Sequence, residues 1–273
     1  MKFSVLMSLY NKENPLYFTQ SLQSLVEQTY PADQILLVLD GPITPELEQV
    51  IASYQDKLPL KLIPLPQNVG LGKALNEGIK QSANEWLFRM DTDDICYPER
   101  FAKQVEYIQS HPDVVLFSTQ IAEFDQNPKE IVSIRKVPTE YAEIVEFNKM
   151  RCPFNHMTVA YKKSLLEQVG YYQHHLFLED YNLWNRIIAT GLPVGNLPDV
   201  LLYARTNGNA MVSRRRGWTY AKSEWKLYLL KRKLHIQSTL SGFVTFLART
   251  LPRLLPVSLL KRIYQVLRKN DSK

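Results

Sequence analysis

Apolar and polar positions alternate along the first hundred residues with two different periods. Phe3–Leu9 is a short apolar run, and Pro15–Gln28 follows with Leu16, Leu22, Leu25 and Val26 at helical spacing, so a strand and then a helix are predicted. Gln34–Leu39 is apolar almost throughout and stops at Asp40-Gly41-Pro42, the pattern of a strand covered on both faces. Pro45–Tyr54 reads as a helix, Leu60–Leu65 as a strand, Leu71–Gln81 as a helix entered through Gly70 and Gly72, and Glu85–Met90 as a strand. Such alternation implies βαβ units: an α/β fold with a mostly parallel central sheet flanked by helices. Ligands of such sheets bind beyond the carboxyl ends of the strands. Asp40 and Asp91–Asp94 each follow a predicted strand directly.

The second half is less regular. Val114–Glu123 is expected as a strand, Glu140–Asn148 as a short helix, and Asp180–Thr190 as a helix carrying Leu183, Trp184, Ile187 and Ile188. From Gly217 onward the chain turns to long helices rich in Lys, Arg, Trp, Tyr and Leu. A globular body is therefore expected over 1–210, divided near 95, with a basic helical extension over 211–273. Charge sharpens this division. From Arg205 to the end stand 16 Lys and Arg against two acids, whereas the preceding 204 residues carry 17 basic and 25 acidic groups. A basic extension on an acidic body suits an anionic surface.

Composition excludes more than it identifies. With 45% hydrophobic and 22% charged residues over 273 positions, collagen, global disorder and a polytopic membrane protein are ruled out. Cys96 and Cys152 form no disulfide framework or CxxC site, which suits a reducing cytosol. The opening MKFSVLMSLYNKEN turns polar without a cleavage signal and is expected as a strand. No uninterrupted apolar stretch of about 18 residues is present.

Four segments carry candidate chemistry. In Asp91-Thr92-Asp93-Asp94, three carboxylates in four positions repel one another unless a cation or strong donors compensate them. At a strand end a hard divalent ion, Mg²⁺ or Mn²⁺, would do so; the plainer alternative makes Asp93 or Asp94 the N-cap of a helix over Pro98–Ser110. Asp40 could accept from a uracil imide or a ribose hydroxyl, or form an ordinary Asx-turn. Asn68-Val-Gly-Leu-Gly-Lys-Ala-Leu-Asn76 sets glycines and Lys73 before a helix, where anionic oxygens are favoured. Glu179-Asp180 opens an amphipathic helix and suits either a general base or dipole compensation.

Taken in order, these segments resemble the family 2 glycosyltransferases, inverting enzymes of the GT-A (Rossmann-like) fold. The resemblance runs from Met1 to about Arg205 through SVLMSLYN, QTYP, Asp40, NVGLGKALNEG, DTDD and the later ED followed by LW. Two positions depart from the family's habit: Leu9 stands where Thr or Ser is commoner, and Lys73 where Arg is. The resemblance implies that Ser8, Tyr10 and Asp40 line a nucleoside site and that Lys73 lies by the donor nucleotide. It implies that Asp91 and Asp93 hold the nucleotide, that Asp93 or Asp94 holds the metal, and that Asp180 is the base with Glu179 beside it. Cys152–Thr158 looks like an acceptor segment of a bacterial polysaccharide-assembly subgroup, which would place Asn155 and His156 on the acceptor side; His156 could equally bond a carbonyl in the core. The implied partners are a nucleoside-diphosphate sugar, UDP-hexose by default, and a saccharide or lipid-linked acceptor.

Val257–Lys269 on a helical wheel shows an apolar half opposite Lys261, Arg262, Arg268 and Lys269, to which Ser241–Leu255 could add. That is the pattern of an interfacial helix on an anionic leaflet, and peripheral attachment at the inner face of the cell membrane is expected. His174-His175 is expected in an exposed loop. Two alternatives stand beside this reading. A sugar nucleotidyltransferase would need a Gly-rich, Arg-containing loop after the first strand, where SLYNKEN is found. A non-enzymatic anionic-surface module would leave DTDD and ED idle, and the acidic body would repel a nucleic acid.

Overall fold

The computed structural model describes residues 1–206 and 216–254. Its first half contains β1 (Phe3–Leu9), α1 (Pro15–Val26), β2 (Gln34–Leu39), α2 (Pro45–Tyr54), β3 (Leu60–Pro64), α3 (Leu71–Lys80) and β4 (Trp86–Arg89). The four strands pair in parallel in the order β3-β2-β1-β4. Strand alternation splits the apolar side chains between two faces. Val5, Met7, Ile35 and Leu37 meet Phe18 and Leu22 of α1 and Leu47 of α2, while Leu6, Leu36 and Val38 meet Ala74, Leu75 and Ile79 of α3. Helix α3 lies so close to the sheet that a methyl group on Gly78 would fall 2.3 Å from Leu6 Cδ1. The first two helices start where local chemistry directs: Asn14 and Thr44 each accept a backbone N–H from the first turn, with proline at the next position.

The second half contains β5 (Ile95–Cys96), α4 (Arg100–Ser110), β6 (Leu116–Phe124), β7 (Ile131–Arg135), α5 (Tyr141–Met150), a 3₁₀ turn (His156–Thr158), β8 (Ala160–Lys162), α6 (Lys163–Val169), α7 (Glu179–Ile188) and β9 (Val194–Arg205). It extends the same sheet in mixed fashion. Strand β8 pairs antiparallel with both β4 and β6, β6 runs parallel to β9, and β5 and β7 pair antiparallel with β9 and β6. The expected α/β architecture is therefore present, with its parallel order concentrated in the first half.

Two helices follow, α8 (Gly217–Lys233) and α9 (Thr239–Thr250). They pack on the body. Tyr220 and Leu227 join Leu178 and Tyr181 in one apolar cluster. Buried Lys231 donates to the carbonyls of Asn148 and Lys149 at the end of α5 and to the Tyr181 hydroxyl. Buried Glu224 is forked by Arg249, which also reaches the Met150 carbonyl. Part of the basic excess thus serves internally, on the carbonyl end of a helix where cations are favoured. The amphipathic Val257–Lys269 segment lies outside the described residues. His175 corrects an expectation: it is buried, because α8 closes over it and its ring bonds the Ser223 carbonyl and Asn182. Among the described residues no helix is long and apolar enough to cross a membrane.

Candidate functional site

The carboxyl ends of β1, β2 and β4 gather the first group of side chains. Ser8 is half-buried at the end of β1 and Tyr10 lies exposed just beyond it. Asp40 is buried after β2, and its carboxylate accepts the N–H groups of Val69 (2.7 Å) and Gly70 (3.1 Å). It therefore folds the 68–70 loop, whatever else its remaining lone pairs accept. Gly41 lies so near Asn68 that a Cβ there would sit 2.6 Å from the Asn68 nitrogen, and its φ of +87° suits glycine alone. Lys73 is exposed and lines a depression of about 290 Å³ with Leu65, Pro66, Val69, Asn76, Glu77 and Lys80, which includes none of the other candidate residues.

Asp91–Asp94 is held from several sides. The Ser21 hydroxyl donates to the Asp91 carbonyl, and the Thr92 hydroxyl donates to Glu13 (2.6 Å). Asp91 pairs with the buried Arg89. Burial opposes its charge, yet Arg89, aided by His156, holds its carboxyl below the ordinary range. Asp94 accepts the Arg205 N–H (2.8 Å) through one oxygen, while its second oxygen is buried with no donor among the described residues. Burial, then Asp93 and Asp91, push its carboxyl well up. Asp93 is pushed up to about 7 by burial and then by Asp91 and Glu13. Neither Asp93 nor Asp94 caps a following helix; Glu99 occupies the cap position of α4.

These observations bear on a cation. The crowded carboxylates and the Asp94 oxygen without a donor among the described residues form an oxygen-rich set that a hard divalent ion fits. Among the described residues no three His, Cys, Asp or Glu side chains form a ready-made cage. A bound ion would therefore draw its other ligands from substrate and water, the habit of Mg²⁺ and Mn²⁺ at phosphate sites.

The second group comes from the 3₁₀ turn and α7. Gly72 brings α3 against α7: an added Cβ would lie 3.3 Å from Tyr172 Cβ and 3.8 Å from Glu179 Cβ. Asn76, the last residue of the glycine-containing motif, exchanges two hydrogen bonds with the Tyr172 backbone. Glu179 has a buried oxygen with no partner among the described residues, and burial followed by Asp180 raises its carboxyl. Asp180 is half-buried; one oxygen accepts the Tyr181 N–H and the other lies 4.0 Å from Cys152 Sγ. His156 pairs with the Tyr172 hydroxyl at 2.8 Å rather than with a core carbonyl. Burial and then Arg89 lower its imidazole to about 4, while Asp180 and Asp91 pull the other way. Tyr172 thus ties His156 to α3, which Gly72 sets against Glu179 at the start of α7.

Asn155 differs from its expected place. It is completely buried, its amide donates to the Thr119 carbonyl (2.7 Å), and its own N–H is received by Ser118, so it supports the turn from beneath instead of lining the crevice. Three participants were not anticipated: Glu13, Arg205 and Arg89. Arg89 alone left a legible sign, a charge inside the apolar strand EWLFRM. A depression of about 600 Å³ between Tyr107, Glu140 and Pro193 lies at the opposite ends of β6 and β9 and includes none of these residues.

Residues 4–170 match the model of Glycosyl transferase family 2. The chain is 49% identical to the amylovoran biosynthesis glycosyltransferase AmsE of Erwinia amylovora, over 98% of this chain and 99% of that one. It is 36% identical to the UDP-Gal:alpha-D-GlcNAc-diphosphoundecaprenol beta-1,3-galactosyltransferase of Escherichia coli, over 97% and 95% of the two chains. Among solved structures, the mannosyltransferase PcManGT of Pyrobaculum calidifontis with GDP-Man and Mn²⁺ has a TM-score of 0.65 at 18% identity, covering 97% of this chain and 80% of that chain. At that identity the likeness speaks for the fold.

Proposed function

Because this chain belongs to glycosyl transferase family 2, we propose that this glycosyltransferase moves a hexose from a UDP-sugar to a hydroxyl of a lipid-linked or growing polysaccharide acceptor, with inversion. The observation that carries the reading is the carboxylate cluster Asp91–Asp94 beyond β4, where one Asp94 oxygen accepts from Arg205 and the other is buried with no donor among the described residues. A sugar donor held at Asp91–Asp94 and an acceptor activated at Asp180 would then meet over one crevice. The names of the two relatives support a surface polysaccharide or a lipid diphosphate acceptor, with galactose as the first sugar to test. Family membership displaces both the nucleotidyltransferase and the non-enzymatic reading.

Asp180 accepts the proton of the acceptor hydroxyl as that oxygen attacks the anomeric carbon, and UDP departs from the opposite face. One displacement inverts the centre, so a single base suffices. Asp93, backed by Asp94, would hold a divalent cation, Mn²⁺ or Mg²⁺, which when bound neutralises charge growing on the departing diphosphate. Asp91, kept ionised by Arg89, accepts from the nucleotide's hydroxyls, and Ser8, Tyr10, Asp40 and Lys73 border the nucleoside. Glu179, whose carboxyl is raised by burial and then by the Asp180 charge, stands beside the base.

The enzyme is placed in the cytoplasm at the inner membrane face. In support, Trp218 and Leu240 are each 76% exposed, and Val244 and Leu251 are more than half exposed. Exposed apolar groups of this kind enter a leaflet, and the sequence over 255–273, with Lys261, Arg262, Arg268 and Lys269, supplies cationic groups that an anionic leaflet attracts. Full-length protein is expected to bind anionic vesicles in a salt-sensitive way; indifference to them would refute the placement.

Transfer from UDP-[¹⁴C]galactose to a synthetic GlcNAc-diphospho-lipid, with and without Mn²⁺, tests the main reading. A β-linked, cation-dependent product is expected. An α-linked product would overturn inversion, and inactivity across a panel of UDP-hexoses and acceptors would overturn the assignment.

A further inference from the structure

A buried cation contacts the first turn of α7. Lys231, near the end of α8, is 3% exposed. A buried ammonium is costly unless its three N–H groups are received. Here three oxygens receive them: the Asn148 carbonyl at 2.7 Å, the Lys149 carbonyl at 3.0 Å and the Tyr181 hydroxyl at 2.8 Å. The two carbonyls belong to the last turn of α5, an ordinary place for a cation. The third partner is not a helix end and calls for another account.

That partner is the residue after Asp180. Tyr181 is 1% exposed, and its hydroxyl donates to the Asn148 carbonyl (2.6 Å) while accepting from Lys231. Its carbonyl receives the Asn185 amide (2.6 Å), and Asn185 in turn accepts from Asn148 (3.0 Å). Its ring lies 4.4 Å from Lys231 Nζ and 5.3 Å from the Arg249 guanidinium carbon. Its N–H donates to Asp180 Oδ1 at 2.7 Å. A side chain bonded at both ends within a buried network holds one orientation. Lys231 therefore reaches the Asp180 carboxylate through a single residue. With Oδ1 engaged, Oδ2 is left for the acceptor's proton; it lies 4.0 Å from Cys152 Sγ.

We propose that Lys231 is a positioning residue for transfer: through the Tyr181 hydroxyl it fixes the first turn of α7 and so the direction of the Asp180 carboxylate. This rests on the reading of Asp180 as the base. Misplacing a reacting group by about 1 Å can cost about 10²-fold in rate. The donor-side groups stand on other elements, at the ends of β1, β2 and β4, and are left in place.

Turnover of the full chain at saturating UDP-galactose and GlcNAc-diphospho-lipid, with calorimetry of UDP-galactose and Mn²⁺ alongside, tests it. Both are measured at a temperature at which melting curves show every variant fully folded. Lys231→Met is expected to lower turnover about 10-fold or more and Tyr181→Phe about 5-fold, while the dissociation constant for UDP-galactose changes less than about 2-fold. The double variant should be no slower than Lys231→Met, since both substitutions break the same contact. Wild-type turnover in Tyr181→Phe would overturn the proposal even if Lys231→Met does not fold. Equal losses of turnover and donor affinity would make the contact a general support of the fold and would also overturn it, as would multiplied losses in the double variant. Failure of the base assignment is distinguishable, because Asp180→Asn would then keep wild-type turnover.

Discussion

On the donor side of the crevice the polar groups stand at the ends of parallel strands, and on the acceptor side they stand on a 3₁₀ turn and the first turn of α7. The donor side is fixed by bonds that loops and helix α1 make to those strand ends. Asp40 bonds the 68–70 loop, Glu13 holds Thr92, and Ser21 holds Asp91. The acceptor side depends on elements remote in sequence: α3 through Asn76, and α8 and α9 through Lys231 and Arg249. A binding surface built into the sheet is thus joined to a reactive group mounted on a clamped helix. Substrate binding and turnover should therefore separate under mutation.

The strongest test of that separation is Asp180→Asn. Loss of the base should lower transfer by about 10³-fold or more, while the dissociation constant for UDP-hexose stays within about 2-fold. Turnover under saturating donor, with calorimetry alongside, measures both. Wild-type turnover would remove Asp180 from the role.

Next in size is the clamp. Glu224 is 2% exposed and is bonded by Arg249 at 2.7 and 2.8 Å. Arg249→Met would leave the buried Glu224 carboxylate to Arg253, 3.8 Å away, and should cost about 3 kcal/mol of stability. Adding Glu224→Leu should recover most of that loss, because an apolar pair replaces the ionic one. Denaturant midpoints of the single and double variants decide it. No recovery would mean that Arg249 acts through Met150 and the end of α5.

The donor side offers a smaller, local counterpart. In Asp40→Asn the amide can accept from only one side, and one of the two N–H groups of the 68–70 loop loses its acceptor. A loss of about 1–3 kcal/mol is expected, together with weaker UDP binding and little change in the rate constant at saturation. A loss of turnover with unchanged affinity would contradict the division between the two sides.

The same division explains what the sequence made legible. Strands of five to seven residues and helices of ten or more left clear periods, and β1, β2 and α2 have the expected bounds. Strands β5 and β8, two and three residues long, carry no period. Strand β9 hides behind Pro198-Asp199 near shifts in its register with β6. The carboxylates were found because like charges crowded at a strand end need an explanation. Their partners were harder to see: Arg205 lies 111 residues from Asp94, and Ser223 lies 48 from His175. Asn155 was misplaced because a polar residue beside a reactive segment is indistinguishable, in sequence, from one bonded beneath it.

The smallest predicted effect sets the two sides against each other through pH. His156 falls from an ordinary 6.5 to about 4 in the fold, through burial and then Arg89, with Asp180 and Asp91 opposing and Tyr172 bonded to the ring. Between those values the unfolded chain binds the proton and the folded one does not, so stability rises with pH across that window. Asp93, raised from 3.8 to about 7, has the opposite sign: the fold binds the proton first, and stability falls as pH rises from about 4 to 7. Wild-type protein in a chelating buffer should therefore show little net change from these two groups between pH 7 and 5.5. His156→Gln removes one sign. Relative to wild type, it should gain about 1 kcal/mol on going from pH 7 to 5.5, a shift in Tm of about 2 °C for a chain of this length. Asp93→Asn should shift the other way by a similar amount. A His156→Gln curve parallel to that of the wild type would mean that the imidazole is not held neutral, and the crevice would lose the ring that joins its two sides.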